Sequence, residues 1–123
     1  MKKIAILTFA LVLGICNKVV AQDAATLLQR ANQQYAFYES EYDKGTDQDN
    51  IYGYLLESYN LFLKVLDAPN NDAQLTSAKN RLRAIYPQLL RGAVYYSRQK
   101  QPLKFLDQAT AYIELPRHEE FRD

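Results

Sequence analysis

After about residue 22, apolar side chains return every three or four positions and nowhere alternate with period two over a useful length. Such spacing places them along one side of an α-helix, so an all-α chain is predicted. The first helix is expected from about Asp23 to Lys44, with Leu27, Ala31, Tyr35, Tyr38 and Tyr42 on one face. Asp23 suits the positive end of the helix dipole, and Gly45 supplies a stop. The second helix is expected from about Gln48 to Asp67, with Asp47 or Asp49 as its cap. Ile51, Leu55, Tyr59, Phe62 and Leu66 form its stripe, widened by Tyr52, Leu56 and Leu63. The third, from about Asp72 to Tyr86, follows a cap at Asn71 or Asp72. It aligns Leu75, Ala78, Leu82 and Ile85 opposite Lys79 and Arg83.

The segment AIYPQLLRGAVYY, residues 84–96, decides how the remainder divides. A proline inside a helix removes a hydrogen bond and clashes with the carbonyl four residues back, at about 3 kcal/mol or more. At a first helical position it costs almost nothing. Pro87 is therefore expected to open a fourth helix, to about Gln99, with Leu89, Leu90, Ala93, Val94 and Tyr96 as its apolar surface. Pro102 likewise opens a fifth, to about Leu115, packing Leu103, Leu106, Ala109, Tyr112 and Ile113. Gly92 in mid-helix costs about 1 kcal/mol against alanine, which the close approach of a neighbouring helix would offset.

The first residues have a different character. A basic Met1-Lys2-Lys3 precedes an apolar run from Ile4 to Cys16, followed by Val19 and Ala21 at cleavage-compatible positions. That order is a secretory signal layout, so residues 1–21 are read as a signal peptide and the protein as exported. The run is short for a mature span. The alternative, a lipoprotein anchored at Cys16, suffers from the bulky Ile15 before the cysteine. The envelope of the cell, periplasmic or outer-membrane-associated, is the expected location.

Removal of residues 1–21 takes away Lys2, Lys3, Lys18 and the single cysteine, leaving 12 basic against 14 acidic residues. The charge is unevenly placed. Residues 22–72 hold nine acids and three bases, and residues 73–123 hold five acids and nine bases. In an exported protein the basic half reads as solvated helix faces attracted to the acidic half, and no nucleic-acid partner is expected. Without a disulfide, stability must come from packing.

Residues 85–116 resemble a tetratricopeptide repeat: Gly92, Tyr95, Ala111 and Pro116 fall on its signature positions, while Gln88, Arg91, Lys104 and Gln108 depart from it. Residues 23–67 look like an earlier, more degenerate pair, with SYNLFLKVLDAPNN similar to a second helix and its exit turn. The interval from Pro69 to Pro116 is 47 residues, against about 34 in the regular repeat. The leader ending in AQ and the Tyr/Gln-rich composition are also similar to exported repeat proteins of Bacteroidetes-type bacteria. The resemblance implies antiparallel helix pairs stacked as a short array over residues 22–116, about five helices in all, with a polar tail or the start of a further region at 117–123. Such arrays normally need three units and this chain offers about two, so it is read as a small degenerate module or a piece of a longer protein. In that pattern the first helix of each pair lines a groove. This nominates Arg91, Tyr95 and Arg98, at spacings of four and three, as a partner-facing stripe.

No arrangement for catalysis stands out, and no cofactor or metal is expected. His118, the only histidine, reads as a solvated tail residue. Glu39 and Glu41 are two apart and point to different helix faces. DKGTDQDN lacks the closing bidentate glutamate of a calcium loop. Ten tyrosines and no tryptophan are the unusual feature. Tyr35, Tyr42, Tyr59 and Tyr86 are assigned to the core, and Tyr38, Tyr52, Tyr54 and Tyr95 to the surface. Two function classes follow. One is a non-enzymatic interaction module of the envelope whose groove binds a protein or peptide partner or another part of its own chain, with self-association through the acidic first half of one copy and the basic second half of another. The other is the helical N-terminal region of a larger envelope enzyme or glycan-handling protein.

Overall fold

The computed structural model describes residues 23–45 and 47–121; the expected signal segment, Cys16 included, lies outside them. The described residues are all-α, with four helices packed in pairs: α1 (Ala24–Lys44), α2 (Gln48–Asp67), α3 (Asp72–Arg98) and α4 (Pro102–Glu114). Two short 3-10 turns, Leu115–Arg117 and Glu119–Phe121, follow. Among the described residues no helix is long and apolar enough to cross a membrane.

Each helix end has a local cause. Asp23 caps α1 by accepting from the Thr26 amide at 2.8 Å, and Gly45, at φ 66°, closes it in the left-handed region. Asp47 caps α2, accepting from the Asp49 amide at 3.0 Å. The Asn70 side chain closes α2 by donating to the carbonyls of Val65 and Ala68 at 2.9 and 3.0 Å. Asn71 and Gln74 form a reciprocal capping box at the start of α3. α3 ends in a Schellman turn, in which the amides of Lys100 and Gln101 reach back to Ser97 and Tyr96. Lys100 takes the left-handed position, φ 57°, that glycine usually fills.

The split expected at Pro87 does not occur, which is why four helices replace about five. α3 runs unbroken through it. Pro87 lies on the solvent side, while Leu82, Ile85 and Leu89 are fully buried and Ala93 and Tyr96 nearly so. A buried aliphatic side chain contributes about 1.5–3 kcal/mol. Three of them on one continuous face outweigh the single proline penalty, and the freed Arg83 carbonyl is left facing water.

α2 is the central element. It packs against α1 on one side and α3 on the other, and so buries Ile51, Tyr52, Leu55, Tyr59, Leu61, Phe62, Val65 and Leu66 around its circumference. α1 contributes Leu27, Ala31, Tyr35 and Tyr38. The tyrosine assignment changes accordingly. Tyr38 and Tyr52 are buried, because α3 closes over both, while Tyr42 is 46 % exposed one turn beyond the covered part of α1. Tyr35 and Tyr59 are core as expected. Tyr86 is half-buried and stacks on Tyr112 at 4.5 Å.

α4 does not bury the stripe its spacing suggested. Leu103, Leu106 and Ile113 are 77 %, 56 % and 55 % exposed, and the helix seats itself through Gln108, Ala111 and the following Leu115. Apolar residues surround most of α4, so periodicity alone does not choose its inner face; polar contacts do. The Gln108 amide donates to the Tyr52 carbonyl at 3.1 Å, and Lys104 Nζ sits 2.9 Å from both Asp49 oxygens. The Tyr59 hydroxyl reaches the Ala111 carbonyl at 3.4 Å. Gln108 also explains Gly92. A Cβ there would lie 2.5 Å from Gln108 Oε1 and 3.0 Å from Tyr52, so only glycine admits the glutamine. That close approach is the one expected for Gly92.

His118 is not a solvated tail residue. Its Nδ1 accepts from the Glu120 amide at 3.2 Å, which leaves Nε2–H to donate to Asp67 at 3.0 Å. Arg83 lies 5.9 Å from the Phe121 ring, and the segment folds back over the end of α2.

Candidate partner-binding groove

Arg91, Tyr95 and Arg98 stand at successive turns of one side of α3. With Leu90 and Val94 of α3 and Gln48 and Tyr52 of α2 they line a single open groove of about 490 Å³. Leu90 and Val94 are 46 % and 42 % exposed, an apolar floor with no cover. Tyr95 is half-buried and held rigid by the Tyr52 and Tyr96 rings, at 5.5 and 5.0 Å. A second hollow of about 220 Å³ continues past Arg91 towards α1, lined by Tyr38, Glu39, Tyr42, Asp43 and Gln88. Tyr35, Tyr38 and Tyr42 form a run of ring contacts along this wall, at 5.7 and 5.9 Å, and the Tyr38 hydroxyl donates to Gln88 at 3.1 Å.

The groove's two arginines form no ion pair among the described residues, with Glu39 and Asp43 lining the hollow beside Arg91. Arg91 reaches only uncharged partners, the Tyr42 hydroxyl at 3.5 Å and Gln88 Oε1 at 3.4 Å. Arg98 makes no hydrogen bond or ion pair among the described residues. Seven residues of helix put these two guanidinium groups about 10 Å apart along the axis.

A second cleft, of about 510 Å³, lies between α2 and α4 and was not anticipated. It holds Asp49, Tyr96, Lys104, Asp107 and Gln108, and the first three of these face one another. The Tyr96 hydroxyl donates to Asp49 at 2.7 Å, and Lys104 bridges the same carboxylate. These two hydrogen bonds hold the Asp49 carboxyl below the usual carboxylate range. Burial, then the Asp49 hydrogen bond, push the Tyr96 hydroxyl far up. Gln108 is 2 % exposed, and its Oε1, pressed against Gly92, meets no donor. This cleft is an internal latch. Local sequence marks Asp49 only as a cap, Tyr96 as apolar surface and Gln108 as a departure from a repeat; a pairing over about fifty positions joins them, and no local pattern carries that.

Among the described residues no group of three or more His, Cys, Asp or Glu is placed to hold a metal ion. No family model, curated protein or solved structure matches this chain.

Proposed function

We propose that the protein is a non-enzymatic interaction module of the cell envelope, and that the α3 groove takes an acidic, partly apolar peptide segment of a protein partner. The observation that carries this reading is the pair of arginines without an ion pair among the described residues, Arg91 and Arg98, flanking the exposed Leu90 and Val94 and the Tyr95 ring. Guanidinium groups bind carboxylates through a planar fork, and a fixed tyrosine offers contact area at small entropic cost. The α2–α4 cleft is slightly larger, but its one cation, Lys104, is already paired with Asp49, so an acidic ligand gains less there. The tetratricopeptide resemblance agrees with this choice, since it nominates the same stripe. Export rests on the order of residues 1–21.

Fluorescence polarisation with a labelled peptide alternating leucine and aspartate tests the groove, with a lysine-for-aspartate peptide as control. The acidic probe should bind more weakly as salt rises. Simultaneous Arg91→Ala, Tyr95→Ala and Arg98→Ala should cut affinity about tenfold or more while leaving helical content unchanged. Equal binding of both probes, or an unaffected triple variant, would remove the groove from the account.

A further inference from the structure

The outer face of α4 has the complementary chemistry. Leu103, Leu106 and Ile113, with Thr110 between them, follow one another at three, four and three residues, the anchor spacing of a helix that lies in an apolar groove. They point away from the seam formed by Gln108, Ala111 and Leu115 and are the most exposed large apolar side chains of the chain's described part. Beside them lie Asp107 and Glu114, which form no salt bridge among the described residues. These carboxylates are seven residues apart, as are Arg91 and Arg98, so both pairs are separated by about 10 Å along their helices.

We infer that the groove's occupant is the outer face of α4 from a second copy of this chain. The inference rests on the groove reading above and names its partner. Leu103, Leu106 and Ile113 cover Leu90 and Val94, while Asp107 and Glu114 meet the two arginines. A chain cannot satisfy its own groove this way. α4 packs against the Gly92 and Tyr96 side of α3 through Gln108, and its stripe faces outward from there. The contact therefore joins two different patches. Such a heterologous interface leaves one groove and one α4 face open at the ends of every assembly, so copies add in series unless the rotation closes a ring.

Sedimentation velocity and light scattering on the purified protein test this. The protein should associate progressively with concentration, and salt should weaken the association. Two variants follow: a groove variant, Arg91→Ala with Arg98→Ala, and a face variant, Leu103→Ser, Leu106→Ser and Ile113→Ser. All five positions are exposed, and circular dichroism confirms that each variant is folded. Each should be monomeric alone, whereas an equal mixture should form a one-to-one dimer and stop, since only one groove and one face remain complementary. A groove variant that still dimerises alone would show that α4 pairs with α4, which overturns the inference. A monomeric wild-type protein also overturns it; if that protein still binds the leucine–aspartate probe, the groove reading stands without this partner. A monomeric wild-type protein that also fails to bind the probe would remove both readings at once.

Discussion

In the first helix pair, α2 buries nine side chains over two faces, whereas in the second, α4 itself buries only Gln108 and Ala111 and turns its leucines to solvent. The first pair is joined by interlocking aliphatic and tyrosine side chains. In the second pair α3 joins the body through Leu82, Ile85 and Leu89, and only α4 is latched on by a glutamine amide, one bridging lysine and the gap that Gly92 leaves for them. Dispersion and apolar burial scale with contact area, while a partly exposed ion pair adds little. The first pair and the α3 face packed on it thus supply most of the stability, and α4 the least. The second pair presents the surfaces: one wall of the groove on α3 and the apolar stripe on α4. A helix held mainly by polar contacts also opens at smaller cost than a core helix.

The largest test of this contrast compares one apolar deletion in each pair. Phe62→Ala, at a fully buried site of α2, should cost about 3–5 kcal/mol. Leu106→Ala on the outer face of α4 should cost about 0.5 kcal/mol or less. Urea unfolding at low protein concentration measures both, and comparable losses would erase the distinction.

An alkaline titration comes next in size and strikes the first pair hardest. Burial raises the pKa of Tyr35 and Tyr38 on α1 and of Tyr52 and Tyr59 on α2, with Tyr59 pushed up to about 12. In the unfolded chain these phenols ionise near about pH 10. A raised folded pKa means that stability is complete below that pH and falls as pH rises towards the folded values. The loss through Tyr59 grows from pH ~10 and is still incomplete at pH ~12. Tyrosinate absorbance and far-ultraviolet circular dichroism should therefore change together, above pH ~10. Tyrosines that all ionise near pH ~10 with the helices intact would contradict the burial described.

The smallest of these tests concerns the proline within α3. Pro87→Ala restores an amide donor and relieves the clash with the Arg83 carbonyl, for about 3 kcal/mol. It also frees the unfolded chain, which returns up to about 1 kcal/mol. A net gain of about 2 kcal/mol is expected in urea unfolding. No gain would mean that Pro87 sits at a helix start after all.

Much of the fold was legible in local sequence. The stops and caps at Asp23, Gly45, Asp47 and Asn71, the Pro102 start and the apolar faces of α1 and α2 follow from spacing and backbone chemistry. Pro87 misled because its penalty is local, while the burial that overrides it comes from Leu82, Ile85 and Leu89 meeting α2. Tyr38 and Tyr42 occupy the same stripe of α1, and only the position of α3 decides that one is covered and the other is not. In α4, apolar residues on nearly every side left the inner face to Gln108 and Lys104, whose partners lie more than fifty residues away. The arginine–tyrosine stripe was legible because it lies within one helix. The outward apolar stripe of α4 was not, because Leu103, Leu106 and Ile113 fit a core-facing pattern equally well.

Native-state hydrogen exchange at low protein concentration tests the division between the two pairs most directly. Amides of α4, from Phe105 to Glu114, should exchange through a partial opening at lower free energy than those of α2 from Leu55 to Val65, which should require global unfolding. Equal exchange free energies in α2 and α4, both matching global unfolding, would contradict the account.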